Sequence, residues 1–113
     1  MTDYILGIET SCDETAAAIV GSDGAIRANI VASQISEHQR HGGVVPEVAA
    51  RAHLSQIGRV IDEAFATAGM DMTGISAVAA TGGPGLIGGV LVGAVAAKAM
   101  AFGQGVPFYA INH

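Results

Sequence analysis

One long stretch without a charged side chain, from Thr73 to Ala97, limits the folds open to this sequence most strongly. A stretch of that length and composition is typical of a membrane span. Its centre, however, holds the cluster Gly82-Gly83-Pro84-Gly85, and glycine and proline interrupt regular backbone structure. We therefore predict a short buried strand before this cluster and a helix after it, neither of which is able to cross a membrane alone.

Short apolar runs and turn residues divide the rest of the chain into further strands and one more helix. Pro46 suits a first helical turn, apolar residues then recur at helical spacing up to Ala68, and Gly69 is a stop signal. The first three predicted elements are strands at Tyr4 to Glu9, Thr15 to Val20 and Ala25 to Ser33. A helix that starts within Val44–Glu47 and stops at Gly69 follows. The last three elements are a strand at Ile75 to Ala80, a helix at Pro84 to Phe102 and a strand at Val106 to Ile111.

This order, βββαβαβ, predicts an α/β domain with a mixed sheet. The turn Gly21-Ser22-Asp23-Gly24 is typical of a hairpin, so the first three strands should form an antiparallel meander. The later strands are joined through helices, which implies right-handed parallel crossovers. Three antiparallel strands extended by parallel ones form the ribonuclease H-like layout, and each half of the actin/heat-shock-protein/sugar-kinase (ASKHA) fold uses it. Such an analogy does not by itself give a function.

Composition bounds the class of protein. Half of the residues are hydrophobic, 13% are charged and 16 are glycine, which is typical of a folded α/β domain rather than a disordered chain. The net charge of -5 argues against a nucleic-acid surface on this part of the protein, because phosphate contacts need clustered Lys and Arg. The single Cys12 excludes an internal disulfide and suits a reducing, cytoplasmic compartment.

The turn from Glu9 to Thr15 carries three carboxylates and several hydroxyls between two predicted strands. Turns with short polar side chains can leave backbone N–H groups free to hold phosphate. The carboxylates would then hold Mg²⁺ beside the phosphate, since magnesium prefers oxygen ligands. A solvated hairpin connection is the plainer interpretation, and Glu9, at the end of an apolar strand, needs a partner or solvent in either case.

The segment Thr81-Gly82-Gly83-Pro84-Gly85 follows a strand and opens a helix. Thr81 is a candidate cap, and the N–H groups at a helix start can bind an anion. The same glycines would also suit a tight turn and close packing. Gly85, Gly89 and Gly93 share one helix face, which favours packing on the chain's own sheet over contact with a partner.

The four histidines differ in how well each one suits a metal site or a catalytic site. His38 and His41 lie three apart in a polar loop, but no further ligand completes a metal site nearby. His53, inside the predicted helix, is expected to be a surface residue or a packing residue with its hydrogen bonds satisfied. His113 follows an apolar strand and Asn112, and the carboxyl end of a strand is where open α/β folds place their chemistry. A surface histidine is the competing interpretation.

Four motifs occur together in the order and spacing of a known family. They are Gly7 to Thr15, Gly42 to Glu47, Thr81 to Leu86 and Asn112-His113. Over all 113 residues the chain closely resembles the amino-terminal domain of the TsaD/Gcp/YgjD family, once called O-sialoglycoprotein endopeptidases or glycoproteases. The resemblance implies a two-subdomain ASKHA clamp, in which residues 1–113 are the first subdomain and the second lies outside this sequence.

The resemblance also implies an activity and its residues. Family members transfer a threonylcarbamoyl group from threonylcarbamoyl-AMP to N6 of adenosine 37 in tRNAs that read codons beginning with A. They bind one metal ion, usually iron or zinc, through two histidines and an aspartate, and His113 matches the first histidine. Asp13 and Glu14 match the loop that faces the reaction centre and are the expected catalytic residues. The substrate is an ATP-type nucleotide, with Mg²⁺ as a further candidate ion. The residues expected to bind this substrate are Glu9, Thr10, Ser11, Thr81, Gly82, Gly83 and Gly85.

The partners that the resemblance implies are tRNA, bound through the complete complex, a TsaB-like paralogue and a TsaE-like ATPase. Two other functions stay open: a noncatalytic nucleotide- or partner-binding module of the TsaB type, and the metalloendopeptidase of the old label. Asn112-His113 and the intact turn favour the catalytic type, and the lack of a nucleophile–base pair disfavours the protease. Alone, the chain should be inactive, bind metal weakly and self-associate through exposed apolar surface.

Overall fold

The computed structural model describes residues 2–34 and 42–113 and contains a five-stranded mixed sheet. The strands are β1 (Tyr4–Glu9), β2 (Glu14–Gly21), β3 (Ile26–Ser33), β4 (Ile75–Gly83) and β5 (Phe108–Asn112). The helices are α1 (Pro46–Ala68) and α2 (Ile87–Gln104), and a short 3₁₀ turn, Met72–Gly74, precedes β4. The sheet order is β3-β2-β1-β4-β5, so the predicted α/β class and the order βββαβαβ are confirmed.

Strand directions place several chain segments at one edge of the sheet. β1 pairs antiparallel with β2, and β2 pairs antiparallel with β3. β1 pairs parallel with β4, and β4 pairs parallel with β5. The carboxyl ends of β1, β4 and β5 therefore meet at the same edge, beside the turn from β1 to β2. We call this the carboxyl edge of the sheet.

The largest difference from the predicted boundaries lies at the glycine cluster. β4 continues to Gly83, because Thr81 and Gly83 still pair with residues of β5. α2 consequently begins at Ile87 instead of Pro84. The boundaries of α1 agree with the prediction, since Pro46 occupies its first turn and Gly69 ends it with a left-handed φ of 68°.

Both helices cover the same face of the sheet. The buried side chains of β1 and β2, including Leu6 and Ile19, form one cluster with Val60 of α1 and Ala97 of α2. Burial of a large aliphatic side chain contributes about 1.5–3 kcal/mol, so this cluster is the main source of stability. The opposite face, which we call the open face, carries exposed apolar side chains: Ile5, Val20, Val31, Tyr109 and Ile111.

The uncharged stretch is split into β4 and α2, as predicted. The expectation that neither part is able to cross a membrane is wrong for α2, because its 18 residues have a mean hydropathy of 1.4 and suffice by length and composition. Core helices of globular domains have the same properties. α2 packs on β4 and α1 and buries Gly89, Gly93 and Ala97, so we interpret it as a helix of this domain.

Candidate active site at the carboxyl edge

The carboxylate of Glu9, the last residue of β1, is the meeting point of three chain segments. The Ser11 N–H donates to Glu9 Oε1 at 2.6 Å, and the Thr81 hydroxyl donates to Oε2 at 2.5 Å. The imidazole Nε2 of His113 lies 3.8 Å from the same Oε2. The ends of β1, β4 and β5 thus each bring one functional side chain to the same place.

The surroundings of Glu9 keep it ionised. Partial burial acts to raise the pKa of this carboxyl, since a charge is less stable away from water. The hydrogen bonds from Ser11 and Thr81, with a smaller electrostatic contribution from His113, outweigh that effect and hold the pKa below its ordinary value. Glu9 is therefore a negative charge at the carboxyl edge, and Ser11 and Thr81 are the partners that its position at the end of an apolar strand needs.

Thr10 and Ser11, which the sequence places among the substrate-binding residues, are turned into the protein. They are 1% and 2% exposed. The Thr10 hydroxyl donates to the Gly89 carbonyl at 2.6 Å, and the Leu86 N–H donates to the Ser11 carbonyl at 2.8 Å. The turn after β1 is thus tied to the start of α2. The Ser11 N–H is occupied by Glu9, so this group is not among the backbone N–H groups that the turn leaves free for phosphate.

The glycines of α2 and the loop before it explain how the two segments come so close. A Cβ added at Gly85 would lie 2.6 Å from the Ser11 carbonyl oxygen, and one added at Gly93 would overlap the Thr10 hydroxyl. At Gly89 an added Cβ would overlap the Thr10 carbonyl oxygen. The shared glycine face therefore serves packing within the chain, as predicted.

Thr81 does not cap α2. The cap position is Leu86, and no side chain caps this helix end. The Thr81 hydroxyl instead donates to Glu9, because β4 extends past Thr81 and holds its side chain beside the end of β1. Gly82 and Gly83, also expected to bind substrate, line a shallow depression of about 300 Å³ at the end of β4 and β5.

The two expected catalytic carboxylates lie on the turn before β2. Asp13 is half-buried, and its backbone carbonyl accepts a hydrogen bond of 2.9 Å from the Gln34 N–H. Glu14, the first residue of β2, is exposed. In residues 2–34 and 42–113, no three His, Cys, Asp or Glu side chains are grouped so that they could hold a metal ion. The turn therefore does not gather Glu9, Asp13 and Glu14 into one cluster, because the Glu9 carboxylate is directed to Ser11 and Thr81. A magnesium ion held by the other carboxylates beside a phosphate stays an expectation.

His113 is accessible at the end of β5. Its backbone N–H donates to the Gly83 carbonyl at 2.8 Å, which fixes the chain, while its side chain remains 58% exposed. The ring can therefore serve as one metal ligand. Glu9 is less suited to ligation, since both of its oxygens already accept hydrogen bonds.

His53 is a packing histidine with its hydrogen bonds satisfied, as one of the two predictions had it. It is fully buried, and its ring contacts the Thr15 hydroxyl, the Gln34 amide and the Cys12 carbonyl. Sequence reasoning missed its connection to the turn that carries Asp13 and Glu14, because no local pattern links residue 53 to residues 12–15. His38 and His41 lie outside the described residues.

Comparison with known proteins identifies a family for this chain. A family model described as TsaD, tRNA N6-adenosine threonylcarbamoyltransferase, matches residues 25–113. Proteins named tRNA N6-adenosine threonylcarbamoyltransferase from Brucella canis and Brucella abortus are 58% identical to this chain over 113 aligned positions, and the alignment covers 96% of this chain and 32% of theirs. The chain thus spans about a third of the length of the curated relatives that it matches.

Two solved structures from Pseudomonas aeruginosa share the fold. One is described as an uncharacterized protein with similarity to peptidase YeaZ and the other as YeaZ. Each superposes with a TM-score of 0.75 over 97% of this chain and 43% of the other, at 20% and 18% sequence identity. At that identity the likeness shows the ASKHA-like fold alone. Because the family model covers most of the sequence, from residue 25 to residue 113, the chain belongs to the TsaD family.

Proposed function

We propose that this chain is the amino-terminal subdomain of a tRNA N6-adenosine threonylcarbamoyltransferase, and that the transfer takes place at the carboxyl edge of its sheet. The observation that carries the proposal is the convergence of Glu9, Thr81 and His113 in a member of the TsaD family. The donor would be threonylcarbamoyl-AMP, and the acceptor would be N6 of adenosine 37 in tRNAs that read codons beginning with A. The other subdomain would close the cleft over this edge.

Asp13 and Glu14 are the proposed catalytic carboxylates. The adenosine amine attacks the carbamoyl carbon, the bond from that carbon to the phosphate oxygen breaks, and AMP leaves. The attacking nitrogen must lose a proton, and a carboxylate within reach orients the amine and accepts that proton. Exposed Glu14 and half-buried Asp13 lie on the turn that ends at the carboxyl edge, which supports this assignment.

His113 is the proposed first ligand of an iron or zinc ion. Its ring is exposed and lies beside Glu9, whose charge would favour a cation nearby. The remaining ligands would come from the part of the protein outside this sequence, since a closed or catalytic metal site needs three or four. When bound, such an ion would polarise the carbamoyl carbonyl as a Lewis acid.

The remaining site residues divide into two groups in this proposal. Gly82 and Gly83 line the depression at the edge, and Thr81 lines a neighbouring pocket together with Glu9. All three would contact the adenylate, an ATP-type nucleotide whose phosphate can also carry Mg²⁺. Thr10, Ser11 and Gly85 would serve binding indirectly, by holding the turn against the start of α2.

The proposed partners are tRNA, a TsaB-like paralogue and a TsaE-like ATPase in the cytoplasm. The basic residues are few and scattered, so tRNA would bind through the complete complex. α2 exposes the apolar stripe Ile87, Leu91 and Val95. Because a TsaB-like paralogue would share this fold, it would present an equivalent helix to this stripe. In the isolated chain, a second copy would take its place.

The test is an assay of the full-length protein with its partner proteins, threonylcarbamoyl-AMP and unmodified tRNA, followed by mass spectrometry of the digested nucleosides. We expect threonylcarbamoyladenosine to form in amounts that depend on the enzyme. Binding of nucleotide and of a catalytic paralogue without transfer would favour the TsaB-type module instead. Release of peptides from a glycoprotein, lost on addition of a chelator, would favour the old protease label.

A further inference from the structure

His53 joins five segments of the fold around the turn before β2. It lies on the inner side of α1 and is 0% exposed. Its Nδ1 lies 2.7 Å from the Thr15 hydroxyl at the start of β2, and its Nε2 lies 2.9 Å from the Cys12 carbonyl oxygen. The Gln34 amide nitrogen, after β3, is 3.2 Å from Nδ1. The ring of His53 thus contacts both ends of the segment 12–15.

The chemistry of these partners fixes the state of the ring. A backbone carbonyl only accepts hydrogen bonds, so Nε2 of His53 must carry the proton that Cys12 receives. Nδ1 then presents a lone pair, to which the Thr15 hydroxyl and the Gln34 amide donate. A neutral imidazole with its proton on Nε2 satisfies these contacts at once.

Asp13 and Glu14 lie between the two residues that His53 contacts, Cys12 and Thr15. The Asp13 carbonyl is held in turn by the backbone N–H of Gln34 at 2.9 Å, and the Gln34 side chain contacts His53. Gly89 of α2 packs closely against the ring of His53, since a Cβ added at Gly89 would lie 3.0 Å from the His53 Cδ2. The backbone of the turn is therefore fixed from inside the protein, while the two carboxylates remain on its outer side.

We propose that His53 is a positioning residue for the transfer reaction, which holds the backbone from Cys12 to Thr15 so that Asp13 and Glu14 are correctly placed. The inference rests on the proposed function of those carboxylates. Displacement of a reacting group by about 1 Å can lower a rate on the order of a hundredfold, so a buried contact at both ends of a four-residue segment can control the reaction without touching the substrate.

Three variants of the full-length protein, assayed with its partners, separate positioning from packing. His53→Leu fills a similar volume without hydrogen bonds. His53→Gln places an amide N–H near the position of Nε2 and keeps the bond to the Cys12 carbonyl. Val60→Ala is the matched control, because Val60 is also fully buried on α1, about two helical turns further along. The measurements are kcat, KM for threonylcarbamoyl-AMP, Tm and hydrogen exchange of the amides in residues 10–16.

We expect His53→Leu to lower kcat about tenfold or more with KM changed little, and to speed amide exchange in the turn. His53→Gln should recover most of the kcat and of the protection. Val60→Ala should lower Tm but leave kcat and the turn unchanged. The inference is overturned if His53→Leu and Val60→Ala reduce kcat in proportion to Tm, or if amide exchange in the turn is unchanged in His53→Leu. Absence of transfer by the unaltered protein would refute the proposed function, while the exchange result would still decide the role of His53.

Discussion

The Thr81 hydroxyl donates a hydrogen bond of 2.5 Å to Glu9 Oε2 and so joins the end of β4 to the end of β1. The two residues are 72 positions apart in the sequence. They become neighbours because β1 and β4 pair in parallel, with Ile8 opposite Ala80. His113, which follows the next strand, reaches the same carboxylate. The parallel pairing of β1, β4 and β5 therefore brings together the residues at the centre of the candidate site.

Replacement of Thr81 by valine should change the pH dependence of the reaction. Thr81→Val keeps the shape but removes the donor to Glu9, so the pKa of Glu9 should rise. The acid limb of the kcat/KM profile of the full-length enzyme should then move to higher pH. Thr67→Val, on the exposed side of α1, is the matched control and should leave the profile in place. An unchanged acid limb in Thr81→Val would refute a role for this hydrogen bond.

Glu9 should also make the stability of the chain depend on pH. Its folded pKa is lowered from 4.5, so its ionised form stabilises the fold above the unfolded pKa, and that stability is lost as pH falls through the folded pKa. Glu9→Gln should therefore have a lower Tm than the unaltered chain at neutral pH, and the two should converge in acid. Thermal unfolding followed by circular dichroism across this range measures the difference. A constant gap at all pH values would contradict the account.

The close contact between the turn and α2 should not tolerate a methyl group at Gly89. Gly89→Ala places a Cβ against the Thr10 carbonyl oxygen, and overpacking of this kind costs about 1–3 kcal/mol. Gly103→Ala is the matched control on the same helix, since nothing lies within 4 Å of its added Cβ. It should stabilise the chain by up to about 1 kcal/mol. Urea unfolding of both variants tests this, and equal effects would be inconsistent with a tight contact at Gly89.

Much of the fold could be predicted from the sequence, because its signals are local. The apolar run before Glu9, the hairpin turn at Gly21-Ser22-Asp23-Gly24 and the helix stop at Gly69 each depend on residues close together in the chain. The boundary at Gly82-Gly83-Pro84-Gly85 was less accurate, since β4 is extended by pairing with β5. That pairing depends on a strand 25 or more residues away, which no local pattern reports.

The site was predicted less completely than the fold. The sequence identified Glu9, Thr81 and His113 as candidates, and the parallel register brings them together. It did not show that Thr10 and Ser11 face inward, because the side on which a short polar turn packs is decided by the glycines of α2. The contacts of His53 were also missed, because its partners Cys12, Thr15 and Gln34 lie far from residue 53 in the sequence.

The apolar stripe on α2 should mediate association. Leu91 is 54% exposed between Ile87 and Val95, so Leu91→Asp should weaken binding of the TsaB-like subunit and self-association of the isolated chain without unfolding it. Thr67→Asp adds the same charge at an exposed position of α1 and is the control. Analytical ultracentrifugation, with and without the partner, measures both effects. Identical sedimentation of the two variants would place the contact elsewhere.

The most direct test of the account is the single-turnover rate of threonylcarbamoyl transfer to tRNA by full-length Asp13→Asn and Glu14→Gln, measured beside Asp62→Asn, an exposed acidic residue of α1. Loss of a general base lowers a rate by about a hundredfold or more. The account predicts a loss of that size in at least one of the two turn variants, with normal folding and metal content, and a normal rate in Asp62→Asn. Normal rates in both turn variants would contradict the claim that the turn after β1 carries the chemistry.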